Sequence, residues 1–220
     1  MHRKLDYDWL LFDLDGTLTD PFEGITRSVE YALNAFGIEV EDRRVLAPFI
    51  GPPLVESLTE RYGFTMEDAV AAVAKYREYF AVKGLYENEL FEGIPELLSD
   101  CRKAGYKISM ATSKPTHYAR IIAEHFDIAR YFDAIHGSSL DGTRITKSSV
   151  VAEAVAEEHL DPTRALMIGD RRHDVEGAGE HGIRTVGVLY GYGSREEHEA
   201  AGADYIVNDL DELRELLICE

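Results

Sequence analysis

Two aspartates separated by one residue, Asp13 and Asp15, follow directly after the apolar run Trp9 to Phe12. Four consecutive apolar residues predict a central parallel strand that is covered on both faces. Ligands of open parallel sheets bind just beyond the carboxyl ends of the strands, where this prediction places both carboxylates. Two acidic groups this close repel each other unless a cation or a shared proton intervenes. Because the ligand atoms there are hard oxygens, the pattern favours Mg²⁺ over zinc or copper.

An isolated pair of aspartates at this spacing is also typical of a solvated turn. The longer string DLDGTL, from Asp13 to Leu18, resembles the first signature of the haloacid dehalogenase-like hydrolase superfamily over six adjoining residues. Across the chain, the resemblance is to the phosphoglycolate phosphatase-like branch. It implies that Asp13 is a nucleophile that accepts a phosphoryl group, and that Asp15 is the acid and base that serves the leaving group and then water.

The elements that must position these aspartates alternate between helix and strand from Phe91 onward. Helical patterns separate apolar segments that read as strands, and the predicted strands are Tyr106–Ala111, Ala134–His136, Ala165–Ile168, Thr185–Val188 and Tyr205–Val207. Alternation of this kind is typical of repeated right-handed βαβ units. We therefore predict an α/β fold with a doubly wound, Rossmann-like parallel sheet.

Residues 20–87 carry helical patterns and no convincing strand, so they are expected to form an all-helical cap domain inserted into the core domain of residues 1–19 and 88–220. The superfamily has a helical cap inserted in the same place. A stiff corner, Gly51-Pro52-Pro53, precedes a predicted helix over Leu54–Tyr62. We expect Gly51, Pro52 and Pro53 to face the site and to select among leaving groups.

A second motif follows the strand that ends at Ala111. Thr112 and Ser113 offer a hydroxyl and backbone N–H groups at the predicted start of a helix, a location suited to phosphate, although an ordinary helix cap explains Thr112 equally simply. A lysine is also needed to offset the carboxylates and the phosphate. The resemblance points to Lys147 for this role, although relatives commonly have a proline where Ser148 follows; Lys114 is the competing candidate.

The fourth motif is GDRRHD, from Gly169 to Asp174, again at the end of an apolar strand. The resemblance implies that Asp170 completes a metal shell with Asp13 and the backbone carbonyl of Asp15. Asp174 is expected to brace this shell from the first turn of a helix. His173 has no role among oxygen ligands, so it is interpreted as a structural or substrate-edge residue.

The amino-acid composition limits the kinds of molecule that the protein is expected to bind. A net charge of −18 argues against a nucleic-acid or anionic-membrane surface. Cys101 and Cys219 are too few for a disulfide framework or a zinc site, which favours a reducing, cytoplasmic location. No apolar run approaches the ~20 residues that span a bilayer. The sequence leaves the oligomeric state open.

The expected function is a Mg²⁺-dependent phosphatase that hydrolyses a small phosphorylated metabolite, either phosphoglycolate-like or a nucleoside 5'-monophosphate, through an aspartyl-phosphate on Asp13. Dehalogenases and phosphonate hydrolases of the superfamily lack an acid at the position of Asp15, which disfavours both. A sugar-phosphate mutase of the β-phosphoglucomutase type remains an alternative. So does a non-catalytic module that binds or senses a phosphorylated ligand.

Overall fold

The computed structural model of the chain describes residues 1–140 and 143–219. The chain forms two compact units, one of Met1–Thr19 with Leu90–Glu220 and one of Asp20–Glu89. We call the first the α/β unit and the second the helical unit. Within the described ranges, no helix is both long and apolar enough to cross a membrane.

Most strands belong to one parallel sheet in the α/β unit. The strands are β1 (His2–Arg3), β2 (Trp9–Phe12), β3 (Thr19–Asp20), β4 (Glu89–Leu90), β5 (Lys107–Pro115), β6 (Ala134–Ser138), β7 (Ala165–Gly169), β8 (Arg184–Val188), β9 (Tyr205–Val207) and β10 (Ile218–Cys219). The sheet has the order β6-β5-β2-β7-β8-β9, and its neighbouring strands pair in parallel. The α/β class and the parallel sheet predicted from the sequence are confirmed.

The central strand β2 is buried along its whole length. Its last residue, Phe12, aligns with Met110 of β5 on one side and Ile168 of β7 on the other. Because the three strands are parallel and in this register, the residues that follow these positions lie at the same edge of the sheet. The sheet therefore brings the first, second and fourth motifs together.

Helices follow most strands of the sheet. The α-helices are α1 (Phe22–Ala35), α2 (Leu54–Tyr62), α3 (Met66–Tyr79), α4 (Ile94–Lys103), α5 (Thr116–His125), α6 (Lys147–Glu158), α7 (Arg172–Gly179), α8 (Arg195–Ala201) and α9 (Leu210–Leu217). Shorter segments are the 3₁₀ helices Arg43–Phe49, Ala129–Tyr131 and Pro162–Arg164 and the π-helical turn Phe80–Gly84. Buried residues of α6 and α7, such as Val150, Val151 and Ala178, pack with Trp9 and Met167 of the sheet in one apolar cluster.

In the helical unit, local sequence signals set the helix ends. α2 ends at Gly63, which adopts a left-handed conformation with φ 67°. α3 begins after Thr65, whose side chain accepts the N–H of Asp68, as a capping residue should. Phe36 follows α1, which ends at Ala35, and its side chain is exposed.

Candidate active site

Asp13 continues the line of β2 beyond its last residue. Its N–H donates to the carbonyl oxygen of Ile168 at 2.9 Å, so β7 fixes the backbone of the residue that bears the carboxylate. The chain then turns sharply, since the carbonyl of Leu14 accepts the N–H groups of Thr17, Leu18 and Thr19. The turn carries Asp15, and both aspartates are buried.

Three carboxylates converge at this edge of the sheet. Asp13, Asp170 and Asp174 each place a carboxylate oxygen within 4.8 Å of the others, and all three residues are buried. Burial, then the charges of Asp174 and Asp13, raise the pKa of Asp170 well above its usual range. Burial likewise raises the pKa of Asp174, to about 6, against the opposing effect of Lys147. Full ionisation of the cluster is therefore unfavourable unless a proton or a cation offsets its negative charge.

Lys147 supplies part of that positive charge. Its Nζ lies 2.7 Å from Asp13 Oδ1, 2.7 Å from Asp174 Oδ1 and 2.8 Å from the carbonyl oxygen of Ala111. The contacts with Asp13 and with the Ala111 carbonyl are hydrogen bonds, and the contact with Asp174 is an ion pair. Burial by itself would lower the pKa of Lys147, but the charges of Asp13 and Asp174 outweigh it and raise the pKa. Lys147 is therefore a permanent cation beside Asp13.

Lys114 is paired with the other aspartate of the first motif. Its Nζ lies 2.6 Å from Asp15 Oδ2, and both side chains are largely buried. Burial raises the pKa of Asp15, and Lys114 opposes that effect. The sequence left Lys147 and Lys114 as competitors for one role. The structure gives each lysine its own aspartate, Asp13 for Lys147 and Asp15 for Lys114.

The second motif lies in a different local structure from the one expected. Thr112 and Ser113 belong to β5, which continues to Pro115, and α5 begins only at Thr116. The expectation that these two residues stand at the start of a helix is therefore wrong, as is the simple helix-cap interpretation of Thr112. Instead, Thr112 Oγ1 accepts the N–H of Lys114 at 3.2 Å. The helix begins late because Pro115 favours extended backbone at the residue before it.

The fourth motif is held by contacts within its own loop. Asp174 accepts the N–H of Arg171 at 3.0 Å in the first turn of α7, as a capping acid does. A Cβ on Gly169 would lie 2.2 Å from the Asp174 carboxyl carbon, so only glycine fits there. Asp174 was expected to brace the shell; here it also lies within the carboxylate cluster itself. His173 lies in the same turn and is not part of that cluster.

Sequence reasoning missed a loop that supports Asp170. The N–H of Tyr192 donates to Asp170 Oδ2 at 2.8 Å, and the Tyr190 hydroxyl donates to the carbonyl oxygen of Thr17 at 3.0 Å. A Cβ on Gly191 would lie 2.3 Å from the carbonyl oxygen of Gly16. The pattern YGYG after a strand was the available signal, because closely spaced glycines indicate close backbone approach.

The site has the donors that a divalent cation needs. Asp170 Oδ1 is buried and accepts no hydrogen bond from the described residues, although Oδ2 of the same carboxylate does. A buried carboxylate oxygen without a partner is costly unless an ion satisfies it. Asp13, Asp170 and Asp174 offer oxygen ligands only, which suits a hard cation. Asp15 Oδ2 is paired with Lys114, and the sequence analysis gave the metal-binding role to the backbone carbonyl of Asp15, not to its side chain.

The proposed selectivity corner lies in the helical unit. Gly51, Pro52 and Pro53 connect the segment Arg43–Phe49 to α2, and Pro53 is the residue before the first turn of α2. Their orientation toward a substrate remains a prediction.

Comparisons with known proteins agree with this geometry. The profile of a family described as haloacid dehalogenase-like hydrolase matches residues 10–188. A 5'-nucleotidase of Pseudomonas aeruginosa is 49% identical over 97% of this chain and 96% of that protein. A Mycobacterium tuberculosis protein named tyrosine-protein kinase PtkA is 42% identical over 94% of this chain and 72% of its own length. The crystal structure of a predicted phosphatase from Clostridium acetobutylicum is 51% identical and superposes with a TM-score of 0.93, covering 95% of this chain and 97% of that one.

The matched region includes every motif that the sheet brings together, from Asp13 to Asp174. It also includes both buried lysines. The chain therefore belongs to the haloacid dehalogenase-like hydrolases, and it is a phosphatase of that family.

Proposed function

We propose that the protein is a Mg²⁺-dependent phosphatase that hydrolyses a small phosphomonoester through an aspartyl-phosphate on Asp13. One observation carries the proposal: the Asp13 carboxylate lies at the end of the central strand, 2.7 Å from the ammonium group of Lys147 and beside two further carboxylates. A nucleophile held next to a permanent cation can approach a phosphate dianion. Otherwise its own negative charge would repel that dianion.

In the first step, an oxygen of Asp13 forms a bond to phosphorus and the bond from phosphorus to the leaving-group oxygen breaks. Asp15 gives its proton to that oxygen. In the second step, water attacks phosphorus, Asp15 takes the proton from the water, and the bond between Asp13 and phosphorus breaks. Inorganic phosphate leaves and Asp13 is restored. Two moderate barriers replace one large barrier, which is the advantage of nucleophilic catalysis.

The remaining groups stabilise charge. Lys147 stays protonated throughout and faces the oxygens of the transferring group, while the Thr112 hydroxyl and the Ser113 N–H are the proposed further donors. Mg²⁺ would be held by Asp13, Asp170 and the backbone carbonyl of Asp15, with Asp174 in support. When bound, it neutralises negative charge on the phosphate and on the carboxylates.

The proposed substrates are nucleoside 5'-monophosphates first and phosphoglycolate-like esters second. The name of the relative with 49% identity, 5'-nucleotidase, supports this order. Selectivity for the leaving group is proposed to lie at the corner Gly51-Pro52-Pro53. Two proline rings fix the backbone of that corner, so it can act as a preformed wall. Replacing Pro52 and Pro53 with alanine should then change the ratio of kcat/KM values between nucleotide and glycolate esters, and unchanged ratios would contradict this placement.

The deciding experiment is a Mg²⁺-supplemented screen of nucleoside 5'-monophosphates, phosphoglycolate and sugar phosphates, followed by acid quench to trap phosphorylated protein. Release of phosphate together with label on Asp13 is the expected result. Turnover without label on Asp13, or no turnover of any ester, would contradict the proposal.

Two alternative activities would give different products in the same assay. A sugar-phosphate mutase would require a bisphosphate primer and release little phosphate. Because a relative with 42% identity is named a tyrosine-protein kinase, ATP with a tyrosine peptide is included as a further arm. Transfer to the peptide in excess of phosphate release would favour that activity over hydrolysis.

A further inference from the structure

Helix α6 carries Lys147 at its first position, and the next residue, Ser148, contacts the far end of α7. The Ser148 hydroxyl donates to Glu180 Oε2, and its oxygen lies 3.0 Å from His181 Nε2. The same His181 nitrogen lies 2.9 Å from the carbonyl oxygen of Ser148. Glu180 and His181 follow the last turn of α7. We call Ser148, Glu180 and His181 the α6–α7 clasp.

The hydrogen bonds of this clasp are mutually consistent. A carbonyl oxygen can only accept, so His181 Nε2 must carry a proton in this arrangement. That proton is shared between the carbonyl oxygen and the hydroxyl oxygen of Ser148. The hydroxyl hydrogen is then available for Glu180. Each donor has an acceptor, so the clasp specifies one geometry for the first turn of α6.

Helix α7 contacts this turn at two other points. At its start, Asp174 Oδ1 lies 2.7 Å from Lys147 Nζ. In its middle, a Cβ on Gly177 would lie 2.8 Å from the Ser148 nitrogen and 2.9 Å from the Lys147 Cβ. The first turn of α6 therefore lies directly across α7, bound near both of its ends and in close contact at Gly177.

We propose that Ser148, Glu180 and His181 are positioning residues that hold the Lys147 ammonium group against Asp13. This inference rests on the proposed function. None of the three contacts the reacting atoms. They act through the backbone of α6, which sets the origin of the Lys147 side chain. A lysine side chain is long and has many rotamers, so the position of its Cα decides how often its ammonium group reaches Asp13.

The alternative is that the clasp only stabilises the packing of α6 on α7. Kinetics of the first chemical step separate these roles. Misplacement by about 1 Å can cost ~100-fold in the rate of a positioned reaction. Loss of stability alone lowers the melting temperature, yet it leaves the rate constant of the folded enzyme unchanged.

The chain offers a matched control. Ser149 stands beside Ser148 in the same turn and is similarly half-buried, but its hydroxyl donates to the Thr146 carbonyl oxygen within α6. The test compares Ser148→Ala with Ser149→Ala, and His181→Leu with His181→Gln. The glutamine amide can donate from nearly the same place as His181 Nε2, so it is expected to preserve the clasp.

The measurement is the single-turnover rate of Asp13 phosphorylation with p-nitrophenyl phosphate, together with KM and the melting temperature. We expect Ser148→Ala and His181→Leu to slow phosphorylation by about 10-fold to 100-fold with little change in KM. Ser149→Ala and His181→Gln should phosphorylate Asp13 at a rate within about threefold of the parent rate.

Unchanged phosphorylation in Ser148→Ala and His181→Leu would overturn the inference, and so would equal slowing by Ser149→Ala. If His181→Leu does not fold, Ser148→Ala against Ser149→Ala decides. Failure of the proposed function gives a different result: the unmodified protein itself would then show no label on Asp13.

Discussion

Two clusters of acidic residues contact or include helix α6, and their negative charges are balanced by different groups. The first, the site cluster, is Asp13, Asp170 and Asp174 around Lys147 at the start of the helix. The second, the helix cluster, consists of Glu153, Glu157 and Glu158 on α6 around His136 of β6. In the helix cluster, His136 Nδ1 lies 3.5 Å from Glu153 and 3.8 Å from Glu157, and Nε2 lies 3.4 Å from Glu158.

Further partners complete the helix cluster. Arg144 donates to the second oxygen of Glu153, and the Ser109 hydroxyl donates to the second oxygen of Glu158. The Glu157 side chain is mostly exposed, so solvent stabilises its charge. In the site cluster, by contrast, one lysine lies among three buried carboxylates and pairs with two of them, Asp13 and Asp174. Buried oxygens without a hydrogen-bond partner among the described residues occur in both clusters, Asp170 Oδ1 in the first and Glu158 Oε2 in the second, so the clusters differ in the balance of their charges. A buried acidic cluster therefore indicates function when its charge is left uncompensated, whereas burial alone does not.

The largest expected effect follows from removing the nucleophile. Asp13→Asn keeps the size of the side chain and its contact with Lys147 but removes the carboxylate that bonds to phosphorus. Turnover should fall to background, with no phosphorylated protein after acid quench, on any ester. The matched change in the helix cluster, Glu153→Gln, should leave turnover within about threefold, because Glu153 pairs with His136 and Arg144 and with no residue of the site cluster. Labelled Asp13→Asn protein would show that another residue is the nucleophile.

The next effect concerns the metal. Chelation should abolish activity and Mg²⁺ should restore it, since the uncompensated charge belongs to the site cluster. Asp170→Ala should weaken the apparent affinity for Mg²⁺ by more than about 100-fold, while Asp174→Ala should stay within the ~10–100-fold typical of a group that braces a ligand. Mg²⁺ titrations of activity and of binding by calorimetry measure both.

Equal losses in Asp170→Ala and Asp174→Ala would mean that both carboxylates bind the cation directly. Full activity in excess chelator would exclude the metal assignment. His136→Gln serves as the control from the helix cluster, and its Mg²⁺ dependence should match that of the parent.

A third effect distinguishes the two aspartates of the first motif. A sugar or glycolate leaving group needs a proton as it departs, so Asp15→Ala should slow its release by roughly 10²–10⁴-fold. p-Nitrophenolate needs no proton, so this ester should still phosphorylate Asp13. Water attack then lacks its base, and the aspartyl-phosphate should accumulate.

Rapid-quench kinetics with p-nitrophenyl phosphate test this division. A stoichiometric burst followed by slow steady-state turnover is expected for Asp15→Ala. Turnover at the parent rate without a burst would instead make Asp15 a structural residue of the turn, paired with Lys114. Lys114→Met provides a comparison, because it removes the partner and leaves the carboxylate.

Sequence patterns predicted the parts of this molecule that depend on local signals. The helix Leu54–Tyr62 has its predicted bounds because a proline precedes it and Gly63 ends it. β2 and β7 were visible as unbroken apolar runs. The motif residues Asp13 and Asp170 then followed from the rule that sites lie at the carboxyl ends of such strands.

Features that depend on contacts between distant segments were not predictable. Nothing near Lys114 in the sequence indicates that it pairs with Asp15, which lies on a neighbouring strand's loop. The hydrogen bond from the Tyr192 N–H to Asp170 requires the loop after β8 to reach the residue that follows β7. The 3₁₀ segment Arg43–Phe49 contains a proline and lacks helical periodicity, so no helix was predicted over these residues.

The smallest expected effect lies in the helix cluster and concerns stability, not turnover. Burial tends to lower the pKa of His136, but the hydrogen bond and charge of Glu158, with those of Glu153, outweigh it and raise the pKa above 6.5. In the unfolded chain His136 titrates at its ordinary value. The contribution of protonated His136 to stability should therefore be complete below about pH 6.5 and be lost as the pH rises through the higher pKa of the folded state.

Urea unfolding at several pH values between 5.5 and 8.5 measures this contribution as the difference in unfolding free energy between the parent and His136→Gln. The difference should shrink as the pH rises, with a slope of at most about 1.4 kcal/mol per pH unit, because one proton is involved. A constant difference for His136→Gln would show that the pKa of His136 is the same in the folded and unfolded states, and a difference that grows as the pH rises would show that the imidazole is neutral in the folded protein. The helix cluster would then be left with an excess of buried negative charge, and the contrast with the site cluster would disappear.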